Sequence, residues 1–340
     1  THKNPYTGMT WAEDPALYIV SFTNENNLYA KLSAEPGIAE QYRRRYPQWL
    51  ARHHPGEKPG NTGPTDRRFQ EFLYTLQHES ILEQAKFLKE ELGLKALRTD
   101  LNMHNKIPLA LSREELDTVD DHKYQDHPRF PINPWKLPGL YRQRSSISDL
   151  GNEVPEQLFA ARLFGKPFSI TEYKFCAPNR FRSEGGPVIG GYAALQNWDA
   201  LYRFAWSHSA SGIYKVEGAY GFDAVNDPMA QLSDRIAIAM FRRGDVAPAK
   251  VTYAYTVSPK CFERNEFDAF PVAFQNLGLV TGIGSIPEGD RSVPKGTVEL
   301  TSAQAKNPAS LKDARIAKLW REANDKRLAV SATGQLRLDG

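Results

Sequence analysis

Leu17-Tyr18-Ile19-Val20-Ser21-Phe22-Thr23-Asn24-Glu25-Asn26 and Pro167-Phe168-Ser169-Ile170-Thr171-Glu172-Tyr173 are built to one plan. Each opens as a β-branched and aromatic run, the pattern of a strand buried on both faces, and turns polar only toward a glutamate. A carboxylate at the C-terminal end of such a strand sits at the mouth of an α/β barrel, where functional residues collect. The two stretches therefore predict an α/β fold with parallel strands and single out Glu25 and Glu172.

Working outward, a helical, polar stretch follows the first strand and leads into a Pro-, Gly- and His-rich loop over 53–65. Asp66 is placed to cap a helix in which Phe69, Phe72, Leu73, Leu76, Ala85, Leu88 and Leu92 recur at mainly helical spacing, with Gly93 to stop it. Residues 94–101 read as a strand ending in Asn102, Met103 and His104, and 112–115 carry capping-box spacing for a short helix. A short strand over 118–122 precedes a polar, aromatic segment, 123–128, and a Pro-rich loop through Leu137-Pro138-Gly139. A helix over 155–164 leads to the Glu172 strand, and a glycine-containing helix over 186–198 leads to a strand over 201–206. Asn226-Asp227-Pro228 opens an amphipathic helix through Phe241, stopped by Gly244.

Strand and helix thus alternate through about five parallel strands, whereas a closed (β/α)8 barrel has eight. The shortfall falls before residue 1, as expected of a chain that begins inside a barrel. The reading is a TIM-barrel-type catalytic domain over 1–247, truncated at its N-terminal side. Beyond Ala247 the texture changes. Val251-Thr252-Tyr253-Ala254-Tyr255-Thr256-Val257 alternates like a half-exposed strand, and a short charged helix over 310–326 and a last strand at 328–330 follow. Residues 248–340 read as a small β-rich accessory segment.

Composition narrows the function classes. The 340 residues are 41% apolar and 24% charged, with a net charge of +3 from interspersed residues of both signs. Arg43-Arg44-Arg45, the one tight basic run, reads as a solvated helix face, so no nucleic-acid partner is expected. No apolar run approaches the roughly 20 residues of a membrane span. Cys176 and Cys261 fix no redox compartment. No Cys–His arrangement is readable around Cys176, which argues against a thiol nucleophile.

A single glutamate after a strand is most often a surface or ion-pairing residue. The company of these two points further. Asn24 beside Glu25 can bind a hydroxyl and orient the carboxyl, and Tyr173 after Glu172 offers a phenol to a nucleophilic carboxylate. Trp206, closing its strand, offers an indole as a stacking floor for a pyranose ring. Two facing carboxylates are the equipment for cleaving a glycosidic bond, about 5 Å apart for retention and ~6.5–9.5 Å apart for inversion. His122, Asp126 and His127 match no strong metal-ligand spacing and read as sugar contacts or loop structure. His208 reads as a rim histidine, Glu184 with Gly185-Gly186 as turn formers, and Gly190-Gly191 as lacking a phosphate-loop pattern.

On these residues the chain resembles the large retaining (β/α)8 superfamily of glycoside hydrolases, clan A. Thr23-Asn24-Glu25-Asn26 is similar to its Asn-Glu pair after the fourth strand, and Ile170-Thr171-Glu172-Tyr173 to its nucleophile segment after the seventh. Phe204-Ala205-Trp206-Ser207-His208 is similar to its eighth-strand end, and His122 and Tyr124 fall where the sixth strand would end. The resemblance spans 15–246 and implies a carbohydrate substrate, no metal or organic cofactor, and a periplasmic or extracellular location. It implies Glu25 as acid/base and Glu172 as nucleophile, with Asn24, His122, Tyr124, Tyr173 and Trp206 binding substrate. Glu172 must then be ionised to attack, and Glu25 protonated to assist the leaving oxygen. The rival reading is a carbohydrate-binding protein or pseudoenzyme on the same barrel.

Overall fold

The apolar run that ends toward Glu25 pairs over only three residues. In the computed structural model, which describes residues 2–28, 32, 36–103, 105–149, 153–216, 218, 220–289 and 293–340, β1 (Ile19–Ser21) lies parallel to β2 (Leu97–Thr99) with Val20 opposite Arg98. The ladder holds three residues on each side, so the apolar start of the 17–26 stretch and the strand read over 94–101 both shorten. His104, expected at the second strand's end, lies outside the described residues.

The chain divides into two compact units, Thr1–Asp120 with Val257–Ala269 and Pro287–Asp290, and Asp121–Thr256 with Phe270–Ile286 and Arg291–Gly340. In the first, α1 (Pro36–His53) buries Tyr46 and Leu50 against Phe69, Phe72 and Leu73 of α2 (Arg67–Lys86). Arg43, Arg44 and Arg45 lie on the exposed side of α1, with Arg44 paired to Glu40 one turn back at 3.1 Å. Asp66 caps α2 through its carboxylate, which accepts the Phe69 N–H at 2.9 Å, and Gly93 takes a left-handed φ of +65° that a side chain would resist. The end of α2 packs Ile81 and Ala85 on Leu101, Leu109 and Leu116. Helix α3 (Leu109–Arg113) starts earlier than the capping-box spacing predicts. Pro108 pre-forms its first turn, and Ser112 sits inside it with its hydroxyl 3.0 Å from the His78 ring. The segment 257–269 adds Cys261, Phe262 and Phe267, packed on Tyr74 and Leu111.

Strand β3 (Val119–Gln125) begins in the first unit and ends in the second, running through residues expected to follow it. It adjoins β4 (Phe168–Phe175), which runs parallel to β5 (Ala200–Arg203). The helix expected over 155–164 shrinks to α4 (Glu156–Phe159), because residues 162–164 are drawn into strand pairing. The Ser285 N–H donates to the Arg162 carbonyl at 2.7 Å, and the Phe164 N–H to Ser285 at 3.0 Å. Between β4 and β5 runs α5 (Gly185–Leu195); a short α6 (Ala210–Tyr214) precedes α7 (Pro228–Ala237), capped by Asp227 and continued by a π turn to Arg242. A Cβ on Gly186 would lie 1.6 Å from the Ser233 carbonyl, and one on Gly190 2.5 Å from the Ala237 Cα. These two glycines let α5 touch α7.

The tail is mixed rather than β-rich. β6 (Thr252–Val257) stands between β7 (Gly282–Pro287) and a parallel β8 (Thr297–Leu300), interspersed with α8 (Val272–Leu277), α9 (Ser302–Lys306) and α10 (Ala314–Lys326). An antiparallel pair, β9 (Leu328–Val330) and β10 (Arg337–Asp339), ends the chain. Residues 248–340 contribute to both units. The fold is α/β with parallel strands, and among the described residues these form separate sheets rather than a closed barrel.

Candidate active site

Glu172 lies inside β4 rather than past its end, with its side chain one-fifth exposed. The adjoining β3 presents His122 and Tyr124, two residues apart and so on one face of the strand. The Tyr124 hydroxyl donates to Glu172 Oε2, and His122 Nδ1 lies 3.6 Å from the same oxygen. A phenol donating to a carboxylate is a charge-assisted bond, stronger than a neutral pair.

Aromatic rings frame this cluster. The Tyr124 ring meets His127, Phe204 and Phe222 edge-on at 5.5, 6.1 and 5.3 Å. Phe222 is held by its backbone, whose carbonyl accepts the Ala205 N–H at 2.9 Å. β5 ends at Arg203, so Trp206 stands on the loop beyond it, 56% exposed. His208 bonds the Asp223 carboxylate through its ring and packs on Phe204 and Tyr220, which is a rim position.

Lys174, two residues on from Glu172, is buried and donates to the Asp223 carbonyl at 2.9 Å. Burial, with the Arg203 charge adding, pulls its ammonium down to about 8.

Tyr173 does not take the role its sequence position suggests. Successive strand residues point to opposite faces, and Tyr173 lines a cavity of about 800 Å³ with Trp198, Arg203 and Asp234. Burial raises its phenol well above the usual range, and the Asp234 charge adds to this. The phenol on Glu172 is Tyr124. Arg203 and Asp234 pair with each other in that cavity at 3.0 Å.

Asp126 does not join His122 and His127 in a ligand set. Its carboxylate accepts the backbone N–H groups of Arg142 and Gln143 at 2.7 and 2.9 Å and the Asn179 amide at 2.8 Å, while His127 Nδ1 contacts the Pro128 carbonyl at 2.8 Å. Glu184 organises a loop, taking the Ser145 hydroxyl and the Ser146 N–H at 2.8 and 2.7 Å. Cys176 and Cys261 are free and buried. Burial pushes the Cys176 thiol far up and the Cys261 thiol to about 12, which removes the thiolate a nucleophile needs.

Asn24 and Glu25 belong to the first unit, on the turn after β1. Asn24 is exposed; Glu25, partly buried, has a φ of 52°, and its N–H donates to Asn102 Oδ1 at 2.8 Å. Asp100 ties the turn down, accepting the Thr23 N–H at 3.4 Å and the Asn26 amide at 3.0 Å. Burial raises the Asp100 carboxyl to about 6, against the pull of those two donors. Sequence reasoning named Asn102 only as a strand end and did not reach Asp100, Phe204 as a ring contact, or Phe222; the polar Asp100 and Asn102 flanking Leu101 at the end of a strand were the available signal for those two residues. No family model matches the chain, and no curated protein matches it either.

Proposed function

We infer that the protein hydrolyses β-glycosidic bonds by retaining double displacement. The observation that carries this is the Tyr124 hydroxyl and the His122 ring converging on one oxygen of Glu172 within a frame of aromatic rings. A largely buried carboxylate oriented by two polar neighbours suits a nucleophile that must be held for in-line attack on an anomeric carbon. Both contacts fall on Oε2, so Oε1 is assigned the attack on the anomeric carbon.

In the first step the Glu172–carbon bond forms as the bond to the leaving oxygen breaks, and Glu25 gives its proton to that oxygen. In the second, Glu25 takes a proton from water, whose oxygen displaces Glu172 and restores the starting configuration. Tyr124 and His122 hold the nucleophile, and Trp206 and Asn24 are assigned to the sugar. The parallel strands with helical crossovers fit the later part of a (β/α)8 barrel, and a periplasmic or extracellular location accompanies that assignment.

Glu172→Gln tests it. In the variant, turnover of aryl β-glycosides should fall to background while sugar binding survives; in the wild type, proton NMR of the first product should show the β anomer. Wild-type-like turnover in that variant would sink the assignment. A wild-type protein that binds sugar without cleaving it would shift the reading to a carbohydrate-binding protein.

A further inference from the structure

The Pro-rich loop over 128–140 carries an indole that the assigned chemistry does not use. Arg129 and Leu140 close the loop's base with a pair of backbone hydrogen bonds, 3.0 and 2.8 Å. Trp135 stands within it, 62% exposed and with a φ of 63°. A bulky residue held in the left-handed region is a backbone outlier, which is a starting point for a functional hypothesis.

The ring is nevertheless fixed. It lies 5.7 Å from His127, 5.5 Å from Phe130 and 6.1 Å from Phe222. His127 and Phe222 are also the rings that meet Tyr124, the donor to Glu172. Trp135 is thus the outer end of a continuous aromatic path that starts at the proposed nucleophile. Ile132 and Leu137 on the same loop are 72% and 75% exposed but belong to no such path.

A flat, amphipathic indole held edge-on with much of its surface in water matches the chemistry of a pyranose. The C–H face of that ring is apolar and its rim carries hydroxyls, so it can lie on the electron-rich indole face while the rim stays hydrated.

We propose that Trp135 is an outer stacking platform for a sugar ring beyond the one attacked at Glu172, so the substrate class is a β-linked oligosaccharide rather than a simple monosaccharide glycoside. This rests on the glycosidase reading of the site. Trp135 acts on specificity: it adds binding for each substrate long enough to reach it and takes no part in bond cleavage.

The test is a chain-length series. kcat/KM is measured for aryl β-monosaccharides and for β-1,4-linked gluco-, manno- and xylo-oligosaccharides from disaccharide to hexasaccharide, in wild type, Trp135→Ala and Trp135→Phe, with calorimetric titration of the same sugars into each protein. In the wild type, kcat/KM should rise with length. Trp135→Ala should cut the ratio of long-chain to monosaccharide kcat/KM about tenfold through KM, and Trp135→Phe should restore part of it. A ratio unchanged in Trp135→Ala, with hydrolysis intact, overturns the platform and leaves the glycosidase reading standing. Oligosaccharide binding lost in Trp135→Ala, in a wild type that cleaves nothing, keeps the platform and overturns the glycosidase reading. A wild type that neither cleaves nor binds these sugars overturns both.

Discussion

Tyr124 and Asp100 are the side chains whose surroundings say most about their work. Tyr124→Phe removes a hydrogen-bond donor from Glu172 while keeping the ring. A hydrogen bond to a charged group is worth roughly 1.5–3 kcal/mol, so kcat/KM should drop about 10- to 100-fold; steady-state kinetics showing no change would remove the phenol from the mechanism. Asp100 carries the pH dependence. Its folded pKa of about 6 lies above the ordinary 3.8, so the folded state holds the proton more tightly between those values. The stability it contributes is full below about pH 4 and is lost as pH rises through about 6. The difference in Tm between wild type and Asp100→Asn should therefore change across that window, and a flat difference would refute it. The strand that carries Glu172 was legible in the sequence because an apolar run turning polar marks itself. Its phenol partner was misassigned to Tyr173 because adjacency along a strand means opposite faces. The true partner comes from a neighbouring strand whose register no local pattern records.

Elements were legible where their limits are set locally. Asp66 and Asp227 cap the helices predicted for them, and Gly93 and Gly244, at φ +65° and +81°, mark where those helices stop. Strand limits were not legible, since β1 and β2 end where pairing ends and residues 162–164 left a predicted helix to bond Ser285. Close helix packing was equally hidden, because the Gly186 and Gly190 pattern names no partner. Gly186→Ala must push α5 from the α7 backbone at Ser233, and overpacking of that kind costs roughly 3 kcal/mol. A fall in Tm of several degrees is expected; an unchanged Tm would mean the helices part without penalty.

At the scale of the whole molecule, each compact unit has its own buried apolar clusters, around Phe69 and Phe72 in one and around Ala254 and Ile286 in the other. Scanning calorimetry should give a total enthalpy larger than the van't Hoff value of any single transition, and equality of the two would show one cooperative unit. The α/β class was legible from the alternation of strands and helices. The division into units was not, because contacts far apart in the chain decide it. The segment 257–269 belongs with residues 1–120, and β6 up to Thr256 with the residues that follow 121. For the gene, this interleaving means that neither unit is a cassette. A premature stop just after the codon for Ala247 would strip Cys261, Phe262 and Phe267 from one core and Ala254 and Ile286 from the other, so losing one stretch of coding sequence damages both units at once, and the first cannot be cut out without carrying part of the second.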